Sequence, residues 1–185
     1  MNTALLIIDV QRAISVGEHA AFEIQRVIEA INRIGSAARA AGLPVFVIQH
    51  EEDEGEFRFG SESWQLADEL AVAPGDIRVR KTTPDSFHRT ELQQALQDRG
   101  IERLIICGLQ TDYCVDTSVR RALALGYQVL LVEDAHSTLD NGVLSAARII
   151  AHHNRVLGSM SSFGVRARVI PATAVIEGIA QGHAD

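Results

Sequence analysis

The feature that most constrains this chain is a regular alternation. Short unbroken apolar runs, each ended by a polar residue, take turns with longer segments of helical periodicity. Ala4 to Ile8 is the first run and stops at Asp9. It is followed by Ile24, Val27, Ile28, Ile31, Ile34, Ala38 and Ala41, whose steps of three and four describe one face of an amphipathic helix. Gly42 and Pro44 end that helix. Val45 to Ile48, Ile77 to Val79, Leu104 to Cys107, Val129 to Val132 and Arg168 to Ile170 read as further strands, the fifth ending near Glu133 and Asp134. Helical spacing returns at Leu92 and Leu96, at Val115, Val119, Ala122 and Leu123, at Val143, Ala147 and Ile150, and in an Ala-rich terminal segment. Thr90 and Gln93 stand at capping-box spacing before the second helix. Strands that are apolar throughout must be covered on both faces, and strands alternating with helices form a parallel sheet. The expected architecture is therefore α/β, three layers with helices on either side of the sheet.

The length of 185 residues fits a single domain over 1–185, and 46% hydrophobic with 22% charged residues is ordinary for a packed globule. The net charge of -7, with no basic stretch, argues against nucleic acid as a partner. No apolar run reaches the length of a membrane-spanning helix, and the N-terminus lacks a signal-peptide pattern. Two cysteines, Cys107 and Cys114, make no disulfide framework, and a reducing, cytoplasmic setting is expected.

Parallel sheets bind ligands beyond the carboxyl ends of their strands. The polar residues there are Asp9, Gln49, His50, Lys81, the turn from Gly108 to Cys114, and Glu133 with Asp134. An acid, an amine and a thiol thus gather at one edge. Neither the G-x-G-x-x-G nor the P-loop nucleotide pattern is present. With Thr111 or Asp112 as helix cap, Cys114 falls in a first helical turn, where unpaired N–H groups favour thiolate and bind a developing oxyanion. The residue pattern leaves two readings of Cys114 open, a nucleophile and a buried structural thiol. Asp9 is equally open between a catalytic acid and a structural cap, and Lys81 alone reads as a solvated charge.

Three separated motifs resemble the isochorismatase-like cysteine hydrolases, a superfamily that includes nicotinamidases and N-carbamoylsarcosine amidohydrolases. They are Leu5-Leu6-Ile7-Ile8-Asp9-Val10-Gln11, then Lys81-Thr82-Thr83-Pro84-Asp85-Ser86-Phe87, and Cys107-Gly108-Leu109-Gln110-Thr111-Asp112-Tyr113-Cys114-Val115. The resemblance implies a catalytic triad of Asp9, Lys81 and Cys114. It implies a cis peptide between Leu109 and Gln110, with the Gln110 and Cys114 N–H groups as the oxyanion hole. It further implies a six-stranded, mostly parallel sheet in the order 3-2-1-4-5-6, and a homo-oligomer, a dimer or larger. Gln11, Trp64, Phe87, Tyr113 and Phe57 are the candidates for substrate contact.

The resemblance also has a departure. Nicotinamidases carry Asp-x-His after the second strand as part of a metal site, where this chain reads Gln49-His50-Glu51-Glu52-Asp53. No catalytic metal and no other cofactor are expected. The presence of Cys114 argues against isochorismatase-type vinyl-ether cleavage. Ser63-Trp64-Gln65-Leu66 and Gln110-Thr111-Asp112 look like the subgroup containing streptothricin hydrolase. The expected activity is metal-independent hydrolysis of a small amide, lactam or ureide through a cysteine thioester. The alternatives are a non-catalytic ligand-binding protein on the same fold and an isochorismatase-type vinyl-ether hydrolase.

Overall fold

The structure is a computed structural model and describes residues 1–182. Six strands form one sheet: β1 (Thr3–Ile8), β2 (Val45–His50), β3 (Ile77–Lys81), β4 (Arg103–Leu109), β5 (Gln128–Ser137) and β6 (Ala167–Ile170). Their order is β3-β2-β1-β4-β5-β6 and every pairing is parallel, with none of the antiparallel pairs that a mostly parallel sheet allowed. The helices are α1 (Ile24–Ala40), α2 (Leu92–Gln97), α3 (Asp116–Ala124), α4 (Ala146–Gly158) and α5 (Ala172–Ala180).

The central strand explains the two cores. Every residue of β1 is buried, and successive side chains point to opposite faces. Leu5 and Ile7 join the apolar faces of α1 and α5, through Ile28, Ile31, Ile34, Val175 and Ile179. Ala4, Leu6 and Ile8 pack on the other face with Leu92 and Leu96 of α2 and Val119 and Leu123 of α3. No helix among the described residues is long and apolar enough to cross a membrane.

Four local expectations need correction. The capping box of α2 does not form, because Glu91 is the capping residue; Thr90 instead accepts the Leu92 N–H at 3.3 Å and donates to the Ser86 carbonyl at 2.7 Å. Val143 lies before α4 and is 87% exposed, so the inward face of that helix is Ala146, Ile149 and Leu157. The turn after β4 is a single wide π-turn, Thr111–Val115, capped by the backbone of Gln110, before α3 begins at Asp116. Finally, β5 continues past Glu133 and Asp134 to Ser137. Its register against β4 shifts between Ile106 and Gly108, and Ala135, His136 and Ser137 are then buried again. The single-period apolar run ended at this irregularity, while the strand did not.

Candidate active site

The sheet order places β1 and β4 side by side at the centre, and their carboxyl ends build the site. Ile8 pairs with Gly108, so Asp9 emerges next to the turn that leads to Cys114. Gly108 has φ +116°, and a Cβ added there would lie 2.1 Å from the Ile8 carbonyl oxygen. Only glycine allows the two strand ends this approach. Asp9 itself has φ +50°, a left-handed conformation that aspartate tolerates better than most residues. On the other side of β1, the β2–β3 register sets His50 directly beside Lys81.

Three side chains then meet. The Lys81 Nζ lies 2.6 Å from Asp9 Oδ2 and 3.2 Å from Cys114 Sγ. It also donates to the Thr83 carbonyl at 3.1 Å and faces His50 Nδ1 at 3.5 Å. The Lys81 and Asp9 side chains are 0% and 2% exposed. Asp9 Oδ1 is buried with no hydrogen-bond donor among the described residues. The Leu109–Gln110 peptide is cis.

Burial alone would pull the lysine pKa down, but the Asp9 carboxylate and the Cys114 sulfur outweigh it, so the ammonium form is favoured. For Cys114, burial is the largest influence and raises the pKa; Asp9 raises it further, and Lys81 only partly offsets them, leaving it pushed up to about 12. This corrects the expectation that the helix start makes a resting thiolate. Burial and the Asp9 side chain outweigh Lys81, and the resting site holds a thiol beside the Lys81 ammonium. Cys107 is fully buried in β4, and burial raises its pKa.

A cavity of about 270 Å³ opens over these groups. Asp9, Gln110 and Cys114 form its floor; Ile14, Phe57, Pro84 and Tyr113 form apolar walls; His50, Glu52 and Thr82 are the other polar lining groups. Of the five expected substrate contacts, Phe57 and Tyr113 line this cavity. Gln11 does not: it is 0% exposed, and its side-chain amide ties the loop to the strands, donating to the His50 and Trp64 carbonyls and accepting the His50 N–H. Phe87 is core, stacked on Tyr127, because its side chain falls on the α3 side of the sheet. Trp64 packs edge-on against Phe59 outside the cavity. His50, expected at this edge of the sheet, lines the cavity, while Glu52 and Thr82 were not foreseen as lining groups.

The place where nicotinamidases hold a metal was tested on the geometry of its donors. His50 Nε2 contacts Glu52 Oε1 at 3.0 Å while its Nδ1 faces the Lys81 ammonium, so both ring nitrogens are occupied by protein groups. Among the described residues no group of three or more His, Cys, Asp or Glu converges to hold a metal ion.

An all-parallel α/β sheet with Cys, Lys and Asp gathered at its carboxyl edge, from beyond β4, β3 and β1, defines a doubly wound protein with a thiol-centred site. The sequence pattern of the isochorismatase domain matches residues 3–161, and the chain belongs to the isochorismatase family. It is 33% identical over 184 residues to a streptothricin hydrolase of Streptomyces noursei, an alignment covering 96% of this chain and 65% of the relative. The chain spans between 55% and 65% of the length of the streptothricin hydrolases it matches. A ureidoacrylate amidohydrolase of Pseudomonas syringae is 31% identical over 171 residues, covering 72% of this chain and 70% of that protein. Among solved structures, an isochorismatase of Pseudomonas putida superposes with a TM-score of 0.86 at 31% identity, over 94% of this chain and 89% of the other.

Proposed function

We propose that this protein is a cysteine hydrolase that cleaves the C–N bond of a small amide, lactam or ureide through a thioester on Cys114. The observation that carries the reading is the contact set around Lys81, which joins Asp9 at 2.6 Å and Cys114 at 3.2 Å beneath one cavity. Two relatives support the bond type, being named for hydrolysis of streptothricin and of ureidoacrylate.

In this reading Asp9 Oδ1, which has no other donor, takes the thiol proton as sulfur attacks the carbonyl carbon. Lys81 holds the carboxylate and sulfur in place, and its positive charge favours the thiolate while it exists. The Gln110 and Cys114 N–H groups bind the oxyanion; a donor of this kind is typically worth about 100- to 1000-fold in rate. Collapse breaks the C–N bond, and Asp9 returns its proton to the leaving nitrogen. Asp9 then accepts a proton from water as water attacks the thioester. Breaking the C–S bond releases the acid and restores the thiol. The proton transfers run through Asp9, and the oxyanion is held by backbone N–H groups. The family resemblance adds self-association as part of the same proposal, which light scattering on the purified protein checks.

The test is ammonia release from a panel of primary amides and ureides, with mass spectrometry to detect opening of lactams and cyclic imides. Wild type is compared with Cys114→Ala, each with and without a chelator. Turnover by wild type alone, unaffected by chelator, is the expected result. Turnover that survives Cys114→Ala would refute the reading.

A further inference from the structure

The cavity over Cys114 is unevenly charged. Its lining contains two carboxylates, Asp9 and Glu52, and no lysine or arginine. Asp9 is matched by the buried Lys81 beneath it. Glu52 is different: its side chain is half exposed, and among the described residues its Oε1 meets only the His50 ring, at 3.0 Å. The His50 ring thus stands between the two charges, its Nε2 at Glu52 and its Nδ1 3.5 Å from the Lys81 ammonium.

Two neighbouring arginines pair with carboxylates other than Glu52. Arg80 pairs with Glu51 at 3.5 Å and lies over the Phe59 ring at 4.6 Å. Arg12 faces Glu62 and Asp68 at 3.1 and 3.6 Å. Arg58, on the same loop as Glu52, lines neither this cavity nor the next one. That next cavity, of about 280 Å³, shares Glu52 and Thr82 with the first and adds Glu51 and Asp53. Glu51 there is balanced by Arg80, so a ligand extending from Cys114 past Glu52 passes from a balanced floor to a mouth whose remaining carboxylates are Glu52 and Asp53.

We infer that Glu52 is a specificity-determining residue, and that the substrate is an amide carrying an amine cation rather than a carboxylate. This deepens the cysteine-hydrolase reading and rests on it. A carboxylate brought to the cavity loses water and gains a like charge at Glu52, whereas an ammonium gains a partner there. The apolar walls Phe57 and Tyr113 then hold the carbon body between the reacting carbonyl and that charge.

The test uses thiol reagents with one reactive group and different charge: 2-aminoethyl, propyl and 2-sulfonatoethyl methanethiosulfonate. In each case the Cys114 sulfur forms an S–S bond with the reagent's sulfenyl sulfur, methanesulfinate leaves, and the thiol proton passes to solvent. Cys107 is fully buried and does not compete, and Cys114→Ala identifies the labelled site. Rates are divided by those of a free small thiol with the same reagent. At low salt the cationic reagent should label Cys114 about 10-fold faster than the anionic one. That ratio should shrink as salt is raised. Glu52→Gln, which keeps an acceptor for His50, should lower the ratio about threefold, and Glu52→Lys should invert it. A wild-type ratio at or below one, or a ratio that neither variant changes, overturns the inference while leaving the catalytic reading intact. Failure of all three reagents to label Cys114 overturns both.

Discussion

Replacing Lys81 by methionine keeps the length and apolar stem of the side chain and removes its charge. Asp9 is then left 2% exposed without its cation. At 2.6 Å and an effective dielectric constant of about 20, the pair's gross attraction is about 6 kcal/mol, before the cost of removing both groups from water. Breaking such a buried pair by deleting one partner costs about 3–5 kcal/mol. For urea unfolding with a slope of about 2 kcal/mol per molar, that lowers the midpoint by about 1.5–2.5 M. Trp64, the single tryptophan, reports the transition by fluorescence. The double variant Asp9→Asn with Lys81→Met removes the stranded charge and should recover most of the loss, to within about 2 kcal/mol of wild type. A loss below about 1 kcal/mol in Lys81→Met, or no recovery in the double variant, would refute the claim that this pair is a buried ionic unit.

Other outcomes follow from single groups. His136 is buried, and burial lowers its pKa to about 4 from 6.5, against a smaller upward effect of Asn154. The unfolded chain therefore takes up a proton first as pH falls from about 6.5 towards 4, and up to about 3 kcal/mol of stability is lost across that window. Urea midpoints against pH should show the slope, and His136→Gln should flatten it. Gly108→Ala forces a Cβ to 2.1 Å from the Ile8 carbonyl, and the melting temperature should fall by at least about 6 °C, corresponding to about 3 kcal/mol. Because Cys114 rests as a thiol with its pKa raised to about 12, iodoacetamide should label it more slowly than free cysteine at pH 8, with a rate still climbing at pH 9 by mass spectrometry.

Most of the fold was legible in the sequence because β1, β2 and β4 are apolar on both faces, a pattern that only a covered parallel sheet accommodates. Strand-end position put Asp9, Lys81 and Cys114 at one edge of the sheet, but it was the family resemblance that grouped them, since Lys81 alone reads as a solvated charge and is instead buried. What was not legible depends on side-chain direction and on register. Phe87 sits six residues beyond Lys81, yet its ring turns into the α3-side core. Gln11 follows Asp9 by two positions, yet its amide satisfies backbone groups of β2 and of the loop. The long continuation of β5 was hidden because its register shift breaks the apolar run at Glu133. The protonation of Cys114 was misjudged because a local helix-start argument omitted the burial and the Asp9 charge that three-dimensional packing adds.

The central claim is that Cys114 carries the substrate's acyl group. It is tested most directly by quenching a turnover reaction in acid and measuring the mass of the intact protein and of the Cys114 peptide. The account predicts a transient adduct of the acyl fragment's mass on Cys114, labile to hydroxylamine and absent in the inactive Cys114→Ala. Turnover at an undiminished rate in Cys114→Ala, with no adduct on the wild-type thiol, would contradict it.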